Sequence, residues 1–143
     1  MTVPTARPRY LLDQSAMSHY WSTPVVKAEI DKLANTGILC SCMVTMDEAR
    51  FSARNKEDLG FLTELYRTQF FWLPFDEAAE QTVADTRTAL WKLGAGHGAQ
   101  TTDVLIAATA IRHNAVVVHN DTDFLTVQRA VPDLKQIRVV VSR

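Results

Sequence analysis

The stretch Thr101–Phe124, TTDVLIAATAIRHNAVVVHNDTDF, decides the fold of this chain of 143 residues. From Val104 to Ile111 nearly every residue is apolar, which predicts a helix buried on all sides, with Thr101 or Thr102 as its cap. His113 and Asn114 stop it, and the β-branched run Ala115–Val118 reads as a strand covered on both faces. Aspartates bracket this unit: Asp103 in the first turn of the helix, Asp121 and Asp123 just past the carboxyl end of the strand. A helix lying antiparallel on the strand that follows it brings its own start to that strand's end. Asp103 and Asp121 are therefore expected to be neighbours, at the edge of the sheet where open α/β folds bind ligands.

Outward from this unit, the same arrangement recurs. Tyr10–Leu12 predicts a short strand ending in Asp13, with Ser15 capping a helix from Ala16 onward, after a polar lead over Met1–Arg9. Pro24–Asn35 has Pro at a helix start and Val26, Ile30 and Leu33 at helical spacing. Beside it, Tyr20, Trp21 and Val25 read as core packing or as an exposed apolar surface. Ile38–Cys42 is the second strand, followed by the helix Val44–Asn55. There Val44, Glu48 and Phe51 share the face expected to turn toward the sheet, so Glu48 is the inward acid. Asp47 falls with Arg50 and Arg54 on the solvent side, as surface ion-pair partners.

Lys56–Phe70 predicts an amphipathic helix with Leu59, Leu62, Leu65 and Tyr66 inward, Phe71–Phe75 a strand, and Asp76 the cap of a helix over Glu77–Leu93. Gly94–Gln100, GAGHGAQ, reads as a flexible loop without a phosphate-loop pattern. Phe124–Ala130 gives a short helix, Pro132 and Asp133 a turn, and Ile137–Val141 a last strand. Strands alternating with helices predict one α/β domain over residues 1–143, with a mostly parallel sheet and helices on both faces.

The combination T-D-x-L-I-A-A-T-A (Thr102–Ala110), a V-V-V strand (Val116–Val118) and N-D-x-D-F (Asn120–Phe124) resembles the carboxyl-terminal half of a PIN domain. The L-D-x-S of Leu12–Ser15 resembles its opening, and Glu48 matches its second acid. The length of the chain is similar to the VapC-type toxins of toxin–antitoxin pairs. The resemblance implies a PIN-like three-layer α/β/α sandwich and a metal-dependent endoribonuclease toxin. It implies a catalytic set of Asp13, Glu48, Asp103 and Asp121, and as partners an RNA substrate, a VapB-type antitoxin whose carboxyl-terminal segment covers the acidic groove, and a second copy in a homodimer. Asp123 is a further metal ligand, an outer partner of the ligands, or the cap of the short helix that follows. Ser15 caps a helix or also orients Asp13. Arg50 and Arg54 contact phosphates or only water, and His97 touches RNA or is simply a polar loop residue. Many members carry Thr or Ser two residues before the acid matched to Asp121, where this chain has His119. That histidine takes over the same hydrogen-bonding role, touches substrate, or alters the metal geometry.

Physical chemistry gives the acids a reason to share a cation. Two carboxylates ~4 Å apart repel by ~4 kcal/mol at an effective dielectric of ~20, and the neighbouring sequence offers too few buried Lys or Arg to offset it. All-oxygen ligands select a hard ion, Mg²⁺ or Mn²⁺, over zinc. Such an ion activates water and stabilises charge on a phosphodiester under attack.

Composition narrows the classes. With 47% hydrophobic and 22% charged residues the chain is ordinary for a soluble globular protein. No run is long enough to span a membrane and the first residues lack a signal-peptide core, so no membrane partner and a cytoplasmic location are expected. Cys40 and Cys42 are expected as buried thiols. A net charge of −1 excludes the strongly basic surface of a nonspecific nucleic-acid binder. Two other classes remain for comparison. A catalytically inactive PIN-like RNA- or protein-binding module would not need all four acids. A phospho-accepting receiver domain would want a paired acid after the first strand and a lysine after the last, neither of which is present.

Overall fold

The computed structural model describes residues 6–141. The expected polar lead lies outside the described residues up to position 5, and its last member, Arg9, already belongs to the first strand. Five strands form one sheet: β1 (Arg9–Leu12), β2 (Ile38–Ser41), β3 (Phe71–Trp72), β4 (Val116–His119) and β5 (Lys135–Arg138). Their spatial order is β3-β2-β1-β4-β5 and every pairing is parallel. The chain moves from β1 to one side of the sheet and then crosses to the other, which makes the carboxyl ends of β1 and β4 the switch point of the topology.

Seven helices cover the two faces: α1 (Gln14–Met17), α2 (Pro24–Thr36), α3 (Met43–Phe51), α4 (Lys56–Gln69), α5 (Glu77–Lys92), α6 (Thr101–Arg112) and α7 (Thr122–Ala130). The period-2 alternation of the strands sorts their side chains between two cores. Leu11 and Val117 pack with Leu90, Ile106, Phe124 and Val127 of α5–α7. Tyr10, Leu12 and Val118 pack on the opposite face with Ala16, Ile30, Met46 and Tyr66 of α1–α4. This is the three-layer α/β/α sandwich expected.

The helix α6 is buried as its composition predicts: Asp103, Val104, Ile106 and the run Ala107–Ala110 are all inaccessible. Its cap is neither threonine. Gln100 takes the cap position, and both Thr101 and Thr102 lie exposed in the first turn. Likewise Ser15 is not a cap, because the helix begins two residues earlier than expected, at Gln14, and Asp13 caps it, accepting from Ser15 N at 3.1 Å.

Four further expectations are corrected by register and helix length. The segment after β2 breaks at Ser52, so α3 and α4 are separate, and Phe51 at the end of α3 is 92% exposed instead of inward. Leu59, in the first turn of α4, is also exposed, since that turn projects beyond the sheet's cover. The third strand is reduced to Phe71–Trp72, paired on one side only, and the last strand is Lys135–Arg138, not Ile137–Val141. There backbone pairing of Val118 with Ile137 and His119 with Arg138 outweighs the apolar run that suggested the later position.

The glycine-rich loop after α5 has a defined course. Gly94 takes φ 79°, a left-handed conformation that ends the helix and lets Ala95 N donate to Leu90 O at 2.9 Å. Cys40 and Cys42 are buried free thiols. Among the described residues no helix is long and apolar enough to cross a membrane.

Candidate active site

The carboxyl ends of β1 and β4 lie side by side, fixed by the Asp13 amide, which donates to the Val118 carbonyl at 2.9 Å. Each strand leaves the sheet through the same local device. Asp13 accepts the backbone N–H two residues on, at Ser15, and Asp121 accepts the N–H of Asp123 at 2.9 Å. Such Asx turns start a helix while leaving the second carboxylate oxygen to point elsewhere. Ser15 joins the two loops: its hydroxyl donates to Asp13 Oδ2 and accepts from Asn120 N at 2.8 Å. Of its two expected roles, the orienting one is what the geometry supports.

Helix α6 brings Asp103 to the same edge, and Asp103, Asp121 and Asp123 each place a carboxylate oxygen within 4.8 Å of the others. Asp13 and Glu48 lie outside that tight trio, yet both are close enough to Asp121 for its charge to perturb them. The acids taken from four separate elements therefore converge.

Their electrostatics are those of a site with too much negative charge. Burial, followed by the neighbouring Asp13 and Asp121 charges, pushes the Glu48 carboxyl up to about 7. Burial and hydrogen-bond contact with the Asp123 and Asp121 carboxyls push Asp103 up to about 9. Asp13 is raised as well, chiefly by burial, against the pull of its Ser15 hydrogen bonds. Among the described residues none of the five acids has a Lys or Arg within ion-pair distance. Asp13 Oδ1 and Glu48 Oε1 are buried with no hydrogen-bond donor at all. An orphaned buried carboxylate oxygen is costly. A set of oxygens with no cation of its own fits a hard divalent ion, and no His or Cys stands among them to favour zinc.

Asp123 does not cap the short helix α7. Asp121 does, and Asp123 reaches back across the edge instead, accepting from Gln100 N at 2.9 Å at the start of α6. His119 is also not a substrate contact, because its ring is wholly buried against Phe124. Its Nδ1 accepts from Asp121 N at 3.0 Å, and its Nε2 lies 2.7 Å from Gln136 Oε1. Of the readings open for His119, the hydrogen-bonding one is what this geometry supports. Burial lowers its tendency to take up a proton.

The two arginines lie beside the acids, not among them. Arg50 pairs with Asp47 at 3.7 Å, as the shared helix face predicts. Arg54 pairs instead with Asp58 at 3.4 Å, because α3 ends before reaching it. Arg54 borders a groove of about 390 Å³ that runs from Gln14, next to Asp13, past Tyr66 to the exposed rings of Trp21 and Phe61. Those rings stand 6.1 Å apart, so the exposed-surface reading of Trp21 is the one observed. His97 is an exposed loop residue packed edge-on against Trp91.

Sequence reading missed Gln128 and Gln136, which support His119 from α7 and β5, and Gln100. Nothing in their spacing marks them, since each acts through a contact made only in three dimensions.

A PIN domain family model matches residues 10–130. The chain is 31% identical over 116 residues to Ribonuclease VapC21 of Mycobacterium tuberculosis, covering 81% of this chain and 83% of that one. It is 35% identical over 121 residues to Ribonuclease VapC51 of the same organism, covering 81% and 82%. In three dimensions it is similar to a chain of VapBC2 from Rickettsia felis, solved bound to a DNA fragment from their promoter. The TM-score is 0.76 at 18% identity, over 92% of this chain and 99% of that one. VapBC-1 from nontypeable Haemophilus influenzae gives 0.72 at 19% identity, over 91% and 97%.

Proposed function

Because the chain belongs to the PIN-domain family, together with the VapC ribonucleases, we propose that it is an endoribonuclease toxin that hydrolyses RNA phosphodiesters with the help of Mg²⁺ or Mn²⁺. One observation carries the metal-dependent part of this reading: Asp13 Oδ1 and Glu48 Oε1 are buried without a donor beside three further carboxylates. Asp13, Glu48, Asp103 and Asp121 hold the ion, with Asp123 as a further ligand or an outer partner. When bound, the ion supplies Lewis-acid activation of water and neutralises charge on the phosphate under attack.

The remaining work falls to the protein. Ser15 and His119 aim the Asp13 and Asp121 carboxylates, and α6 holds Asp103 in a fixed place because Asp103, Val104 and the run from Ile106 to Ala110 are all buried. Glu48, whose carboxyl is pushed up to about 7 by burial and by the Asp13 and Asp121 charges, adds to the excess of negative charge that the ion would relieve. No side-chain nucleophile is required. Arg54, at the mouth of the groove, is placed to meet RNA phosphates, whereas Arg50 borders a separate pocket with Met46, Tyr66 and Trp72.

The partner is a VapB-type antitoxin, as the VapBC assemblies of the structural neighbours suggest. The groove ending at Trp21 and Phe61 offers its carboxyl-terminal segment an aromatic seat whose other end is Gln14, next to Asp13. The homodimer expected of such toxins is supported by the exposed Phe71 and Trp72 of the edge strand β3.

The test is cleavage of total cellular RNA by the purified chain with Mg²⁺, with Mn²⁺ and with chelator, alongside Asp13→Ala. Discrete metal-dependent fragments absent from the variant are expected. Intact RNA with both proteins, in the presence of demonstrated Mn²⁺ binding, would favour a binding module without turnover.

A further inference from the structure

Four hydrogen bonds in series connect the acidic site to the far edge of the sheet. Gln128 Nε2 donates to the Leu134 carbonyl at 2.9 Å, and Gln136 Nε2 donates to Gln128 Oε1 at 3.0 Å. Gln136 Oε1 faces His119 Nε2 at 2.7 Å, and His119 Nδ1 faces Asp121 N at 3.0 Å.

Backbone groups of fixed character stand at both ends. The Leu134 carbonyl can only accept, so Gln128 must present its amide nitrogen there and its oxygen to Gln136. Gln136 then has only its own oxygen left for His119, which requires a proton on Nε2. From the other end, the Asp121 N–H can only donate, so Nδ1 must be the bare nitrogen. The two deductions agree on one tautomer.

We infer that His119 is a positioning residue for the metal site, held in its Nε2–H tautomer by Gln136 and Gln128 so that Nδ1 fixes the Asp121 amide and aims the Asp121 carboxylate at Asp103 and Asp123. An Asn, Ser or Thr would accept the N–H two residues on directly, as an Asx or ST turn. The imidazole does so from a larger ring, packed on Phe124 with a centroid separation of 4.7 Å, and must therefore be oriented from behind. The edge strand β5, which contributes no acid, thereby reaches the site, and α7, which carries Asp123, gains a second link to it. A partner of this kind typically changes metal affinity by about 10–100-fold.

The inference rests on the metal-binding reading only for its last step, and its test has metal-free readouts. Nitrogen NMR of histidine-labelled protein without metal, assigned with His119→Asn, is expected to find the proton on Nε2 and none on Nδ1. Hydrogen exchange is expected to be slow at the Asp121 amide in the wild type and faster in both His119→Phe and Gln136→Leu. Calorimetry is expected to give Mn²⁺ affinity about 10-fold weaker in those two variants, and His119→Asn is expected to recover most of it. Because Gln136 is only half-buried, its variant serves if His119→Phe does not fold. A proton on Nδ1, or wild-type Asp121 exchange in the folded variants, would overturn the inference. So would unchanged Mn²⁺ affinity, or a folded His119→Asn as impaired as His119→Phe. A wild type that binds no Mn²⁺ would refute the metal reading instead, while the ring and amide measurements still decide the His119 link.

Discussion

The backbone amide of Gln100 donates to the Asp123 carboxylate at 2.9 Å, tying the start of α6 to the loop after β4. One aspartate thus closes the amino end of the helix that carries Asp103 while its charge lies against Asp103 itself. Asp123→Asn keeps the acceptor and loses the charge; Asp123→Ala loses both. Urea denaturation without metal should find the asparagine variant near wild type and the alanine variant about 1 kcal/mol less stable, the usual worth of a helix-capping bond. Mn²⁺ calorimetry should find both weakened.

Stability in chelator should fall as pH rises. Glu48 holds its proton up to about 7 in the folded state against an ordinary 4.5, and Asp103 up to about 9 against 3.8. Between those limits the folded chain binds more protons than the unfolded one, so stability is fully present at the acid end and is lost on the way up. Denaturation midpoints at pH 5 and 8 measure this. Added Mn²⁺ should raise the midpoint more at pH 8, and a flat or rising metal-free profile would contradict the assignment.

Asp103→Asn removes the most strongly perturbed carboxyl while keeping its shape and hydrogen-bonding capacity. The metal-free variant should be at least as stable as wild type at pH 8, because the wild type must take up a proton on Asp103 in order to fold there and the asparagine need not. Cleavage should drop by more than the about 10–100-fold typical of losing a mere supporting contact. Gain of stability with loss of activity distinguishes a site acid from a structural one.

At the distal edge, Asp76 caps α5 through Ala79 N and forms a two-point pair with Arg112 at the end of α6. Asp76→Ala should lower the urea denaturation midpoint, mostly through the lost cap. RNA cleavage measured below the unfolding transition should be unchanged.

Trp21→Ala and Phe61→Ala should leave cleavage by the free protein within about twofold of wild type, since neither ring touches the acids. Each should weaken antitoxin binding by about 2 kcal/mol, as buried aromatic anchors do. Competition for the toxin, read as restored RNA cleavage in the mixture, measures this directly.

Much of this architecture was legible before any coordinates. The almost wholly apolar Val104–Ile111 reads as a covered helix with Asp103 in its first turn, and two short strands are followed directly by an acid, so Asp13, Asp103 and Asp121 fall into place together. Helical phase selected Glu48 over Asp47 correctly, yet the same phase placed Phe51 inside, because periodicity cannot say where a helix outruns the surface it covers. Asp123 and His119 were ambiguous for a different reason. What each does depends on Gln100 and on Gln136, partners distant in the chain whose side chains carry no local signal. The last strand was displaced because backbone pairing, not hydrophobicity, sets the limits of an exposed edge.

The position of β1 between β2 and β4 also has a bearing on synthesis. Asp13 emerges from the ribosome early, but the strand that places Asp121 beside it is made near the end, and the two join only through a pairing of great sequence separation. A growing chain that has not yet released Val116–Asp123 has half a sheet and no assembled cluster. Until β4 pairs with β1, Asp13 and Asp121 are not brought together and no metal site exists.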